Sequence, residues 1–288
     1  MEGEFFKPED FFEKRQNAKI RLEFFRHDEK DPATGMGNDN EVRISKEGQR
    51  HAIEVGEEKN SHPEVALVYG SPRKRSVETA YAQMLSEDEI KGLSLEEIRE
   101  KVSENISFGT KEIVTNKLNF DWSGSEEFKK TAEDHYLNKK DALKFLFEES
   151  DALVRELNDT KSIAYSRAAS NVAQIIEKYA GIFDGWEKIT NNNKEKYEKF
   201  GNELQRFLGS HGTVLECFLM KVIEKIEGKD RVIEFLDSLE DKNQFNFSQG
   251  FSVVIEKNAG NEKTIKVTFE NKSWILKPEM LKEIVAGG

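Results

Sequence analysis

The sequence predicts an α/β protein: a three-layer α/β/α sandwich with a mostly parallel sheet, a helical insertion and a C-terminal β-hairpin. Three observations carry this expectation. The runs Ile20-Arg21-Leu22-Glu23-Phe24-Phe25, Val65-Ala66-Leu67-Val68-Tyr69 and Leu204 to Gly209 have the length and apolarity of strands. Each is followed by a turn and then a helical pattern, the alternation that builds a parallel sheet between helix layers. Near the C-terminus the pattern switches to period two, in Phe251-Ser-Val-Val-Ile-Glu and Thr264-Ile-Lys-Val-Thr-Phe around a turn at Asn258-Ala-Gly-Asn261, which predicts a hairpin at a sheet edge.

Taken in order, residues 1 to 18 are polar with paired phenylalanines and predict a short surface helix. Lys19 to Phe25 is the first strand, and His27 to Val42, rich in Asp, Asn and Gly, is a loop. Ser45-Lys46-Glu47-Gly48 opens a helix to Glu58. The strand at 65 to 69 is continuously apolar, as expected where a sheet is covered on both faces. Ser71-Pro72 resembles an N-cap with proline at the first helical position, starting a helix to Leu85. Ser86-x-x-Glu89 and Ser94-x-x-Glu97 are capping-box patterns and predict two short helices. Ile113-Val114-Thr115 has strand character. From 126 to 200 the chain is charged, helical and poor in glycine, part cap and part crossover. Thr213-x-x-Glu216 is a further capping box, opening a helix to Glu227. The expected organisation is one domain over 1 to 288, with 85 to 200 as a largely helical insertion or cap.

At 288 residues the chain is long enough to bury a large core. No apolar run approaches the roughly 20 residues a membrane helix needs. The opening Met-Glu-Gly-Glu-Phe-Phe-Lys has no basic segment followed by an apolar stretch, so a cytoplasmic protein without membrane association is expected. The single cysteine, Cys217, excludes an intrachain disulfide and a cysteine zinc cluster, and falls on the apolar side of its helix as a core residue. A net charge of −11 argues against nucleic-acid binding, which needs a basic footprint. Against that negative background a cluster of Arg26, Lys30, Arg73, Lys74 and Arg75 stands out.

Three strand ends supply His27, Arg75 and His211. In open α/β sheets ligands sit outside the carboxyl ends of strands. Imidazole can attack a phosphoryl group, provided its reacting nitrogen is neutral and its other nitrogen is held by a hydrogen bond. The transferred group carries charge on three oxygens, which planar guanidinium forks and helix N-termini suit. The strand ends therefore predict a phosphate pocket around a nucleophilic histidine.

The chain resembles the histidine phosphatase superfamily, the phosphoglycerate mutase-like fold group. Phe24-Phe25-Arg26-His27-Asp28-Glu29-Lys30 is similar to that family's strand followed by Arg-His-Gly. Arg43-Ile44-Ser45-Lys46-Glu47-Gly48-Gln49 resembles its Leu-Thr-x-x-Gly stretch. Gly70-Ser71-Pro72-Arg73-Lys74-Arg75-Ser76-Val77-Glu78-Thr79-Ala80 resembles its Ser-Pro-x-x-Arg-x-x-x-Thr-Ala segment. Gly209-Ser210-His211-Gly212-Thr213-Val214 resembles its second histidine motif. The matches span residues 20 to 80 and 204 to 220.

The resemblance implies a metal-independent phosphomonoesterase without a cofactor, acting through a phosphohistidine on a small phosphorylated metabolite or a phosphoprotein. The alternatives are a mutase-like phosphotransferase, and a catalytically weak relative that binds phosphorylated ligands or partner proteins. It implies His27 as nucleophile, Arg26 and Arg75 as phosphate clamp, and His211 as transition-state stabiliser, with Gly212 also at the phosphate. Asn38, in the loop after His27, is a further candidate phosphate contact, and loop polarity explains it equally well. Asp28 replaces the family's glycine, and it can repel an anionic substrate, orient a side chain or raise the basicity of His27. Gly212 stands where one branch of the family has an acidic proton donor, so the acid is expected elsewhere, at Glu112 first and Asp121 second. His51 and His62 are expected to be structural or solvated, and Asp134-His135 to lie on the surface. The pair His27-Asp28 also matches a metal-binding His-Asp dipeptide, but its position after a strand and an arginine disfavours that reading.

Overall fold

The computed structural model describes residues 17–59, 61–90, 92–105 and 112–288. Residues 1–16 of the expected N-terminal helix lie outside them. The chain contributes β1 (Lys19–Arg26), the short ribbon β2 (Lys30–Asp31) and β3 (Arg43–Ile44), β4 (Ala66–Gly70), β5 (Glu112–Val114), β6 (Glu203–Ser210), β7 (Gly250–Lys257), β8 (Lys263–Phe269) and β9 (Lys272–Leu276). The main sheet has seven strands in the order β5-β4-β6-β1-β7-β8-β9. β5, β4, β6 and β1 are mutually parallel, and β7, β8 and β9 continue antiparallel. Because β8 again runs with β1, the sheet is mostly parallel by strand direction.

Side-chain alternation divides the core into two layers. Ile20, Leu22 and Phe24 of β1, with Tyr69 and Leu208, face a cluster built on the helices Tyr165–Asn192 and Val214–Glu227. Phe25, Ala66, Val68 and Phe207 point the other way, into a cluster with the helices Lys46–Glu57, Lys74–Met84 and Leu95–Asn105. This is the predicted three-layer sandwich. Over β7 and β8 one face is apolar, through Phe251, Val253, Ile255, Ile265 and Val267, which explains their period-two pattern.

Several expectations are corrected. The C-terminal unit is a three-stranded meander, with β9 added to the expected hairpin. Within 85 to 200, read as part cap and part crossover, β5 is the edge strand of the sheet, and the 28-residue helix Tyr165–Asn192 is the main layer behind β1 and β7. The Ser86 and Ser94 boxes form, with Glu89 and Glu97 accepting from the serine N–H groups at 2.8 and 2.7 Å. The Ser71-Pro72 cap does not, because the helix starts at Lys74 and Ser71 is used elsewhere. At Thr213 the hydroxyl makes no cap bond and the backbone takes φ 75°, a left-handed conformation unusual for a β-branched residue. His135 is buried in a π-helical turn, stacked on Phe145 at 4.6 Å, where a surface position was expected. No helix among the described residues is long and apolar enough to cross a membrane.

The register brings the motif-bearing strand ends together. Arg26 pairs with Ser210 and Gly70 with Gly209, so β1, β6 and β4 finish side by side. The His27 N–H extends the ladder by donating to the Ser210 carbonyl at 2.8 Å. Gly209 permits this closeness: a Cβ there would lie 1.9 Å from the Ser76 carbonyl oxygen, inside the helix that carries Arg75.

Candidate active site

His27 is buried at the carboxyl end of β1, with Nδ1 2.7 Å from the Asp28 carbonyl oxygen. A carbonyl only accepts, so Nδ1 carries the hydrogen and Nε2 keeps its lone pair. Arg75 Nε donates to that lone pair at 3.1 Å. Burial and then the Arg75 charge push the imidazole pKa down to about 3, with Arg26 and Lys30 adding to this against the Asp28 carbonyl bond. The imidazole is therefore neutral at physiological pH.

His211 stands 5.1 Å from His27, ring centroid to centroid, at an interplanar angle of 65°. Its Nε2 lies 2.6 Å from Ser71 Oγ. Around Ser71 the protons can be followed: its Oγ accepts from the Arg73 N–H at 3.1 Å, while Ser76 Oγ accepts the Ser71 N–H and donates to the Arg73 carbonyl at 2.8 Å. The Ser71 hydroxyl has two acceptors in reach, Ser76 Oγ at 3.0 Å and His211 Nε2 at 2.6 Å; given to the nearer one, its proton places the ring hydrogen on Nδ1. That Nδ1 is buried and makes no hydrogen bond among the described residues. Burial, followed by the charges of His27, Arg73, Arg75 and Arg26, drives the His211 pKa well below the usual imidazole value. The pair presents one nucleophilic nitrogen and one unused N–H donor, which is the division of labour that phosphoryl transfer needs.

Arg75 is buried, and its fork is occupied by Asp39. Nη1 lies 3.1 Å from Oδ1 and 2.7 Å from the Asp39 carbonyl, and Nη2 lies 3.1 Å from Oδ2. Arg73 Nη1 takes the same Oδ2 at 2.5 Å. Burial works to raise the Asp39 carboxyl, but the Arg75 hydrogen bond and the charges of Arg75, Arg73 and Lys30 hold it below the usual range. Asn38, the residue expected at the phosphate, instead caps its own loop by accepting the Asn40 N–H at 3.1 Å, and it is exposed. The loop reaches the arginines one residue later. Arg26 donates through Nη1 to the Phe245 carbonyl, lies 4.4 Å over the Phe247 ring, and leaves a buried Nε without a bond.

Of the three roles open to Asp28, the contacts select side-chain orientation. Oδ1 accepts the Glu29 N–H at 2.7 Å, and Oδ2 accepts the Ser248 hydroxyl at 2.5 Å and meets His51 Nδ1 at 2.7 Å. The carboxylate makes no hydrogen bond to the His27 ring, and Asp28 meets that ring through its backbone carbonyl. His51 thereby joins the support of the site. Gly212 lies against the loop before β7, where a Cβ would fall 2.4 Å from Gln244 Oε1.

Glu112 is corrected as the expected acid. It sits on β5 opposite Val68, short of the strand's carboxyl end. Its carboxylate takes both prongs of Arg99, at 2.7 and 2.6 Å, and the Tyr81 hydroxyl at 3.1 Å. That ties β5 to the helix Leu95–Asn105 and gives Glu112 no contact with either histidine. Asp121 follows Phe120, whose ring meets His211 edge-on at 5.6 Å. Its Oδ1 accepts the N–H and hydroxyl of Ser123, and its charge acts on Arg73. The described site thus unites His27, His211, Arg75 and Arg26 and leaves Glu112 and Asn38 outside.

Sequence reading missed Ser71 as the partner of His211 and Asp39 as the partner of Arg75. It also missed Glu216, a fully buried carboxyl whose pKa burial pushes up to about 7 against backbone hydrogen bonds from Phe245, Glu216 and Thr213; one oxygen takes the Phe245 N–H at 2.5 Å, and the other has no partner among the described residues. Ser71 could have been found from its place in the Ser-Pro segment; nothing local marks Asp39.

No family model and no curated protein matches the chain. Among solved structures it is similar to one described as "Mycobacterial hydrolase 2", at 14% identity and a TM-score of 0.48, over 93% of this chain and 97% of that one. A mycobacterial glucosyl-3-phosphoglycerate phosphatase follows at 12% identity and 0.41, over 89% and 97%. A phosphoserine phosphatase of Entamoeba histolytica, solved with 3-phosphoglyceric acid, stands at 12% and 0.40, over 92% and 99%.

Proposed function

We propose that the chain is a phosphomonoesterase of the histidine phosphatase superfamily, working through a phosphohistidine at His27. The observation that supports this best is the neutral His27–His211 pair, with Arg75 on the nucleophilic nitrogen, at three adjacent parallel strand ends.

A phosphate ester entering the site displaces the Asp39 carboxylate from the Arg75 fork, because a dianion offers the guanidinium more charge than a carboxylate. As Arg75 turns to the phosphate, its Nε–H leaves the His27 lone pair. Nε2 then forms a P–N bond as the P–O bond to the leaving group breaks, and the departing oxygen takes a proton. His211 Nδ1–H, with the Arg26 and Arg75 guanidiniums, binds the equatorial oxygens while charge moves through them. Water next cleaves the P–N bond, and inorganic phosphate leaves with His27 neutral again. The arginines supply the positive charge, so the reaction requires no metal. Asp121 is the remaining sequence candidate for the proton donor.

The test is hydrolysis of p-nitrophenyl phosphate in the presence of a chelator, by wild type and His27→Ala in parallel. Turnover that persists with the chelator and vanishes in His27→Ala is expected, with an acid-labile, alkali-stable phosphoryl label on quenched wild type. Turnover that requires a divalent metal and survives His27→Ala would sink the reading. Phosphate binding with no turnover at any pH would identify a binding-only relative.

A further inference from the structure

Aromatic side chains surround the imidazole pair. Phe247 lies 6.4 Å from His27 and packs against Arg26 at 4.4 Å. On the other side Phe120 meets His211 at 5.6 Å and carries Arg73 at 4.0 Å over its ring. Trp122 continues from Phe120 at 5.4 Å and Tyr136 from Trp122 at 6.3 Å. Tyr136 interacts electrostatically with Arg26, which brings the series back to Phe247. Phe120, Trp122 and Tyr136 are half-buried, and Phe247 keeps 39% of its surface exposed.

Phe247 is held there at a conformational cost. The next residue, Ser248, adopts φ 57° without being glycine, and its hydroxyl is fixed by the buried Asp28 carboxylate at 2.5 Å. The Asn246 N–H is tied to Gln249 Oε1 at 2.9 Å. The departure from glycine at Asp28 therefore presents an exposed phenyl ring beside the nucleophile.

The chemistry of the leaving group points the same way. Glu112 is held by Arg99 and Glu216 by the Phe245 N–H, which leaves Asp121, itself bonded to Ser123, as the acid beside the site. A phenol ionises with a pKa of about 10, so a phenolate departs with far less help from an acid than an alkoxide does.

We infer that the site takes aryl phosphomonoesters. The inference rests on the phosphatase reading: Arg26 and Arg75 hold the phosphate, and the flat leaving group lies between Phe247 and the Phe120–Trp122 edge. The same chemistry is available from a free aryl phosphate or from a tyrosyl phosphate in a peptide.

Substrate analogues that cannot be cleaved separate ring recognition from leaving-group reactivity. Inhibition constants of phenylphosphonate, propylphosphonate and inorganic phosphate are measured on the full chain at a pH where all are dianions. Phenylphosphonate is expected to bind about tenfold tighter than propylphosphonate, the scale of one good aromatic contact. Phe247→Ala and Trp122→Ala should each bring the two phosphonates close to parity, read as the ratio of their constants so that any change shared with inorganic phosphate cancels. Equal binding of the two phosphonates by wild type, or a preference that survives both substitutions, overturns the inference. If p-nitrophenyl phosphate turnover still depends on His27, that result leaves the phosphatase reading standing. No turnover and no binding of any of the anions overturns both. Faster turnover of a phosphotyrosyl peptide than of phenyl phosphate assigns the peptide source, and the reverse assigns the free ester. A phosphoseryl peptide cleaved as well as the tyrosyl one overturns the inference.

Discussion

A hydroxyl that accepts one hydrogen bond still has a proton to give, and at Ser71 that proton goes to His211 Nε2 at 2.6 Å. Without it the His211 ring is free to exchange tautomers, and the N–H that the proposed mechanism gives to the phosphate is no longer fixed. Ser71→Ala should lower kcat on p-nitrophenyl phosphate by about 10- to 100-fold with little change in KM, the pattern of a loss confined to the transition state. Steady-state kinetics decide this, and an equal loss in KM would reassign Ser71 to binding. Asp39 acts in the opposite sense. Its carboxylate holds the Arg75 fork, so under the proposed function it competes with substrate from within the chain. Asp39→Asn keeps the hydrogen-bonding shape but removes the charge. Inorganic phosphate should then inhibit at a concentration lower by about three- to tenfold, with KM falling in step and kcat retained. An unchanged inhibition constant would mean that Asp39 leaves the fork freely.

Elements transmit such effects because the site is assembled from strand ends and one helix start. Gly209 lets the helix Lys74–Met84 rest on β6, and a methyl group there would meet the Ser76 carbonyl oxygen at 1.9 Å. Gly209→Ala should destabilise the fold by about 1–3 kcal/mol, the usual range for overpacking, and displace Arg75 with its helix. Urea unfolding and p-nitrophenyl phosphate turnover should fall together; stability loss with full activity would show that the helix yields without moving Arg75. Glu112→Gln tests the reassigned carboxylate on β5. Loosening the Arg99 clamp should cost about 1 kcal/mol and leave the ratio of rates for good and poor leaving groups as in wild type. What could be read from sequence divides along the same line. β1, β4 and β6, with His27, Arg75 and His211, were legible because each is a local apolar run followed by a short motif. Glu112 and Asp39 were not, because their roles are set by partners 13 and 36 residues away, Arg99 and Arg75, which no local pattern pairs with them. β9 was missed because Lys272-Ser-Trp-Ile-Leu buries only Trp274 and Leu276 and becomes a strand by pairing with β8.

At the scale of the whole molecule, burying two neutral imidazoles and one raised carboxyl couples folding to pH, with opposite signs. His27 has a folded pKa of about 3 against an ordinary 6.5, and His211 is also well below the ordinary value. Between those limits the unfolded chain binds the extra protons. The stability associated with the neutral rings is therefore complete above pH 6.5 and is lost as pH falls, at up to about 1.4 kcal/mol per pH unit for each ring. Glu216 runs the other way. Its folded pKa is raised to about 7 from 4.5, so its contribution is complete below pH 4.5 and is lost as pH rises through 7. Between pH 6.5 and 4.5 the two effects oppose each other, and substitutions should separate them. Urea midpoints of Glu216→Gln should fall more steeply on acidification than those of wild type, and those of His27→Asn should fall less. The same neutral rings shape the activity profile. Because the free-enzyme nucleophile does not titrate near 6.5, the acid limit of kcat/KM should follow the second ionisation of the substrate phosphate, near pH 6. It should move when the ester is exchanged for one with a lower second pKa. A limit that stays near 6.5 for every ester would show that an imidazole protonates in the free enzyme, contrary to the burial and positive charge around His27.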